Sequence, residues 1–219
     1  MKPYYEEPEI IIYHGDCREI IPKIRKLATH TTIITDPIWP NAPEGMFEIL
    51  ESESAEEILK STLELIVTVR MTIIMRHDSD PRFLSCVDKD KWPYFRTAQL
   101  PYVMPGYIGR KLGGDELAYC FGEPIPRKPG QIVIPGRAPK VQPTGRLANG
   151  HPCSRSLEHL KWVVRWYSDT EDLVIDPFMG SGTTLEAAKY LGRKAIGIEI
   201  EEKYCEIAVK RLQQEVLPL

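Results

Sequence analysis

Residues 176–184, DPFMGSGTT, stand between the apolar run LVI and a helical pattern. Small residues at such a junction let the backbone turn sharply and approach a ligand, and the first helical turn offers N–H groups with no partner inside the helix. Glu199 ends the next apolar run, AIGIE, at about the separation expected of a nucleoside-binding β-α-β unit, where a carboxylate accepts hydrogen bonds from both hydroxyls of a ribose. The pair predicts a site for a ribose-bearing ligand. The alternative is that Gly180 and Gly182 only make a tight turn. A nicotinamide dinucleotide fits less well, because the G-x-G-x-x-G pattern needs a third glycine where Leu185 stands. Two more aspartates, Asp16 and Asp36, end apolar runs earlier in the chain, where a carboxylate either caps a helix or serves chemistry.

These residues need strands behind them and helices after them. The β-branched runs at 10–16 and 31–37, separated by the helical pattern CREIIPKIRKLA, form a β-α-β unit. A helix is expected over 54–69 and a strand over 71–75. Strands at 96–103 and 116–121 are expected to pair as an antiparallel hairpin closing one edge of an otherwise parallel sheet. From Gly122 to Pro152, recurring proline and glycine predict an irregular, exposed loop. Beyond it come a helix over 156–167, the buried strand LVIDP, a helix over 183–191, the buried strand AIGIEI and a closing helix over 203–216. Strands alternating with helices predict an α/β, doubly wound, mainly parallel sheet.

The chain has 219 residues, enough for one sizeable domain, and no apolar run of the roughly 18 residues that a membrane span needs. An acidic start where a secretory signal would carry basic residues predicts an intracellular, cytoplasmic protein. Five cysteines without a C-x-x-C pair, and histidines without ligand spacing, suggest neither disulfides nor a metal site. Trp162 and Trp166, at helical spacing, read as core anchors. Net charge is −3, yet residues 127–165 hold eight lysines and arginines against the single acid Glu158, so one face is basic: either a solvated loop or a contact surface for phosphates.

The motifs together resemble the amino-methyltransferases of DNA, in the circular order called the β class. The match rests on DPFMGSGTT with IGIEIEEKYCEIA, on YHGDCREIIP and TDPIWP, and on HPCSRSLEHLKWVV between them, about half the chain. The resemblance implies the Rossmann-like methyltransferase sheet, with S-adenosylmethionine over the carboxyl ends of its strands. It places the methionine part near Asp176, Phe178, Gly180, Gly182 and Thr183, Glu199 on the ribose, and Asp16 and Cys17 beside the adenine. His151, Pro152 and Ser156 fall where the family's H-P motif opens a helix. There the family usually continues with lysine and proline, where this chain has Arg155 and Ser156.

Catalysis is expected at Asp36-Pro37-Ile38-Trp39, which looks like the family's D-P-P-[YFW] motif, with Asp36 also bordering the cofactor. An exocyclic amine is a poor nucleophile because its lone pair is delocalised into the ring. A carboxylate (Asp36) and a backbone carbonyl (Pro37) accepting its two N–H bonds favour a pyramidal nitrogen whose lone pair can attack a methyl group in line. Trp39 would stack on a base flipped out of the duplex. Ile38 departs from the pattern, since a second proline would stiffen the loop. Aspartate at the first position favours adenine N6 over cytosine N4, by resemblance.

The expected partner is double-stranded DNA, met by Arg127, Lys128, Arg137, Lys140 and Arg146, and a homodimer is compatible with a chain that carries no separate recognition domain. The predicted organisation is one methyltransferase domain over 1–219: a target-base half (1–121), a variable loop (122–150) and a cofactor half (151–219). Two other readings stay open. One is a binding module that keeps the fold and S-adenosylmethionine or DNA without turnover, motivated by Ile38; the other is methylation of RNA or of a protein amide.

Overall fold

The computed structural model describes residues 1–24, 30–40, 52–103, 115–125, 130, 134–142 and 155–214. The elements are β1 (Tyr5–Glu7), β2 (Ile10–His14), α1 (Cys17–Ile24), β3 (Thr31–Thr35), α2 (Ala55–Leu65), β4 (Arg70–Arg76), a 3-10 turn (Pro81–Cys86), β5 (Tyr94–Leu100), β6 (Glu116–Gly122), α3 (Leu157–Tyr167), β7 (Leu173–Asp176), α4 (Thr183–Tyr190), β8 (Ala195–Glu199) and α5 (Glu202–Gln213). The strands form one sheet in the order β1-β2-β8-β7-β3-β4-β6-β5. Strands β2, β8, β7, β3 and β4 are parallel, and β3 and β8 are buried at every position, as a sheet covered on both faces requires. Strands β5 and β6 pair antiparallel at one edge, as the sequence predicts.

Helical spacing decides which faces are buried. In α1, Cys17, Ile20, Ile21 and Ile24 form one apolar stripe, and in α2 Ile58, Leu59, Thr62 and Leu63 form another. Both pack on one face of the sheet with Ile33, Met71 and Ile73. Helices α3, α4 and α5 cover the other face through Leu160, Val163, Val164, Leu185, Ala188, Cys205 and Ala208. From β3 the chain winds towards β4, and from β7 it winds the opposite way, towards β8. The connections that follow neighbouring strands β3 and β7 therefore leave in opposite directions and open a crevice at the strands' carboxyl ends.

Five expectations change. Helix α2, capped by Ser54 with Glu57 in a reciprocal box, ends at Leu65 rather than at 69. The carbonyls of Ile66 and Thr68 are taken by Lys91 Nζ (2.6 Å) and Trp92 Nε1 (2.9 Å), which holds this β-branched stretch extended. Strand β5 begins at Tyr94 and ends at Leu100, because Pro101 has no N–H for the ladder. A short acidic strand, β1, pairs with β2 although its composition carries no strand signal. Finally, the described part of the proline-rich loop is not wholly exposed. Residues 134–142 run along β5, with Gln99 N donating to Gly136 O (2.9 Å) and Ala138 N to Gln99 O (2.8 Å), and Ala138 is buried. The closing helix α5 ends at Gln213, and 215–219 lie outside the described residues.

Among the described residues no helix is long and apolar enough to cross a membrane, and no group of three or more His, Cys, Asp or Glu side chains could hold a metal ion.

Candidate functional site

The crevice at the carboxyl ends of the strands is a cleft of about 1080 Å³, counting its open mouth. Most of its wall comes from strand ends: Gly15, Asp16 and Cys17 after β2, Asp36 to Trp39 after β3, Asp176 to Ser181 from the last residue of β7 onward, and Glu199 to Glu201 from the last residue of β8 onward. Thr183, at the start of α4, and Arg155, just before α3, join it, with Ile58, Leu160 and Tyr204 from α2, α3 and α5.

The glycine loop is built by close approach. Gly180 (φ 51°) and Gly182 (φ 78°) lie in the left-handed region that disfavours side chains. A Cβ on Gly182 would stand 2.7 Å from the Cβ of Ala208 in α5. Gly182 is not itself in the cleft wall; it supports the wall from behind. Gly197 in β8 plays a similar part, since a Cβ there would meet the sulphur of Met179 at 2.4 Å.

Glu199 ties the loop to β8. Its two carboxylate oxygens accept N–H groups from Gly180 (2.9 Å) and Glu201 (2.8 Å). Burial raises its pKa to about 7, the two N–H groups pulling the other way. Asp176 is also buried, and burial lifts it to about 6 against hydrogen bonds from Thr184, Thr35 (2.7 Å) and Phe178 N (3.2 Å). Through Thr35 it bolts β7 to β3. Asp16 is gripped by Arg18, whose Nε and Nη2 reach its carboxylate at 2.7 to 3.0 Å, while Arg18 also reaches Glu53. Cys17 is buried, and that burial pushes its thiol up to about 11, so it is a packing group rather than a nucleophile.

Asp36 is held by two side chains, Trp39 and Arg155. Trp39 Nε1 donates to its Oδ1 (3.0 Å), and Arg155 donates through Nε to Oδ2 (2.5 Å) and through Nη2 to Oδ1 (2.7 Å). The remaining arm of Arg155 pairs with Glu116 in β6, and Tyr102 Oη donates to the other oxygen of Glu116 (3.0 Å). The Arg155 guanidinium also covers the Trp39 ring, 4.5 Å from its centroid. Trp39 is only 4% exposed, so stacking on a base through that face requires the guanidinium to leave it.

The structure thus brings Asp16, Cys17, Asp36, Pro37, Trp39, Asp176, Phe178, Gly180, Thr183 and Glu199 to one cleft, with Gly182 behind it. Ser156 is the residue from which α3 starts, without a side-chain capping bond. His151 and Pro152 lie outside the described residues, as do Arg127, Lys128 and Arg146; Arg137 and Lys140 are exposed. Sequence reasoning did not place Arg155 or Glu116 in the site. The only signal for Arg155 was its place in the H-P motif, where a basic residue is usual.

A family described as DNA methylase matches residues 89–210. A DNA adenine methyltransferase, YhdJ of Escherichia coli strain K12, is 37% identical over 185 residues, 77% of this chain and 60% of that protein. The type II methyltransferase M.ScaI of Streptomyces caespitosus is 25% identical over 100% of this chain and 86% of its own length. Among solved structures, M1.HpyAVI in complex with SAM superposes with a TM-score of 0.69 at 24% identity, over 93% of this chain and 100% of that one, and so has the same fold.

Proposed function

The chain belongs to the DNA methylase family, and from that premise we propose that it transfers a methyl group from S-adenosylmethionine to an exocyclic amine in double-stranded DNA, with adenine N6 as the target. The observation that carries this reading is a single cleft in which the glycine loop and Glu199 face the Asp36-Pro37 pair. Binding groups and amine acceptors are then close enough to serve one reaction.

The residues present suit the cofactor. An ionised carboxylate has about four acceptor positions. Among the described residues each oxygen of Glu199 accepts one backbone N–H, so two positions are free for two ribose hydroxyls. Phe178, Gly180 and Thr183, with Gly182 and Asp176 in support, would border the methionine part, and Asp16 and Cys17 the adenine; His151 and Pro152 are proposed by resemblance alone. When bound, S-adenosylmethionine supplies a methyl group on a positively charged sulphur, open to attack by a nitrogen lone pair. The protein's part is to hold the amine. Asp36 and the Pro37 carbonyl would accept its two N–H bonds and steer the lone pair towards the cofactor side of the cleft, while Trp39 walls the base site. Adenine as target is supported by aspartate at the first motif position and by the name of the Escherichia coli relative.

Arg127, Lys128, Arg137, Lys140 and Arg146 would meet the phosphates, which supplies affinity without naming a sequence. We take residues 1–219 as one catalytic domain working in the cytoplasm.

The test is to incubate the protein with isotopically labelled S-adenosylmethionine and unmethylated duplex DNA, digest to nucleosides and weigh the product. Labelled N6-methyladenine is expected. N4-methylcytosine would move the target base, and cofactor binding without label in DNA would overturn the transfer itself and point to Ile38 or to an RNA substrate. Asp36→Ala should lower turnover at least about 100-fold while cofactor binding persists; unchanged turnover would remove Asp36 from catalysis.

A further inference from the structure

We propose that Arg155 is a positioning residue for the target-amine acceptor: it clamps the Asp36 carboxylate in one orientation, and Glu116 in turn clamps Arg155. The inference rests on Asp36 taking the amine, as proposed above.

Three nitrogens of one planar guanidinium are used, towards two carboxylates. Nε and Nη2 grip both oxygens of Asp36, the bidentate geometry that arginine forms with a carboxylate, and Nη1 pairs with Glu116. The flat face rests on Trp39. The Arg155 side chain is only 10% exposed and that of Glu116 only 6%, so the contacts are little screened by water. Glu116 is fixed by β6 and by the Tyr102 hydroxyl, so the clamp is anchored in the sheet rather than in a loop. Asp36, by contrast, sits just beyond the end of β3, in Asp36-Pro37-Ile38-Trp39, where the second motif proline is missing.

The clamp leaves the acceptor usable. Among the described residues Oδ1 accepts two N–H groups and Oδ2 one, which leaves one of about four acceptor positions for the incoming amine. Two carboxylates share one guanidinium; burial raises the pKa of Glu116, and the Arg155 charge opposes that rise. Without Arg155 no cation would stand between Asp36 and Glu116, and Asp36 would lose its fixed direction. A lysine, a point charge on a flexible stem, could neutralise but could not make the three directed contacts.

The experiment measures kcat and KM on duplex DNA, with S-adenosylmethionine affinity by calorimetry, for the unmodified protein, Arg155→Lys, Arg155→Ala, Glu116→Ala and the double Arg155→Ala/Glu116→Ala. Arg155→Lys is expected to lose about tenfold or more in kcat with cofactor affinity within about twofold, and Arg155→Ala to lose more. Glu116 acts through Arg155, so the double variant should be no slower than Arg155→Ala alone. Millimolar guanidinium should restore part of the Arg155→Ala rate. Wild-type kcat in Arg155→Lys would overturn the clamp, as would a fall in cofactor affinity parallel to kcat, which would mark Arg155 as a fold or cofactor group. Should Arg155→Ala not fold, Arg155→Lys alone decides. An unmodified protein inactive on DNA sinks the proposed function and the clamp with it, whereas an active one with an unaffected Arg155→Lys sinks the clamp alone.

Discussion

A carboxyl group buried as deeply as Glu199 keeps its proton to a higher pH than an exposed one. Its pKa stands at about 7, raised by burial, and two ribose hydroxyls would donate to the ionised form. Rising pH therefore favours binding. Between pH 6 and pH 8 the ionised fraction rises from about a tenth to about nine tenths, so S-adenosylmethionine should bind up to about tenfold more tightly at pH 8. Calorimetric titration across that range checks it; Glu199→Gln should bind weakly and with a flat pH profile. Glu199 was legible in the sequence because its partner Gly180 belongs to the adjacent strand-helix unit. Arg155 was not, because the carboxylate it grips is 119 residues away, and nothing local tells an arginine before a helix which acid it will meet.

The glycine loop and the helix it starts work as one element. Gly182 is required twice, by its left-handed backbone and by the Ala208 side chain 2.7 Å from where a Cβ would stand. Gly182→Ala should therefore destabilise the fold by about 2 kcal/mol, combining backbone strain with overpacking. For a chain of this size that lowers Tm by roughly 4–8 °C, readable by thermal melting. The loop's existence was plain from DPFMGSGTT; its dependence on α5 was not, since that contact joins residues 26 apart in the chain. Helix α2 shows the converse. Periodicity alone favoured four more residues, and hydrogen bonds from Lys91 and Trp92 to the backbone ended it earlier. Residues 134–142 likewise read as loop by composition, yet the free edge of β5 drew them into hydrogen bonding.

At the scale of the whole molecule, a net charge of −3 opposes binding to a polyanion, so any affinity for DNA must come from local distribution. Arg137 and Lys140 are exposed on the segment that flanks β5. Replacing both with alanine should weaken DNA binding similarly for all sequences and reduce the steepness of log K against log salt by about 0.9 for each phosphate that is no longer neutralised. Fluorescence anisotropy at several salt concentrations measures it, and an unchanged slope would remove these two residues from the DNA surface. Methylation measured at saturating DNA should change little, because neither residue lines the cleft.

By itself the sequence determined the parallel α/β plan, the edge hairpin, the glycine loop with its acid and the DNA methylase family. These follow from local periodicity, small-residue turns and short spacings, which the chain expresses within each strand-helix unit. Only the tertiary structure decided how the carboxylates are managed: Asp176 bolted to Thr35, and Asp36 held by Arg155 with Glu116 behind it. The physical reason is that the sheet order sets β2, β8, β7 and β3 side by side. Acids far apart in sequence then end at one rim, where burial and shared cations, rather than local propensity, set their charge and direction.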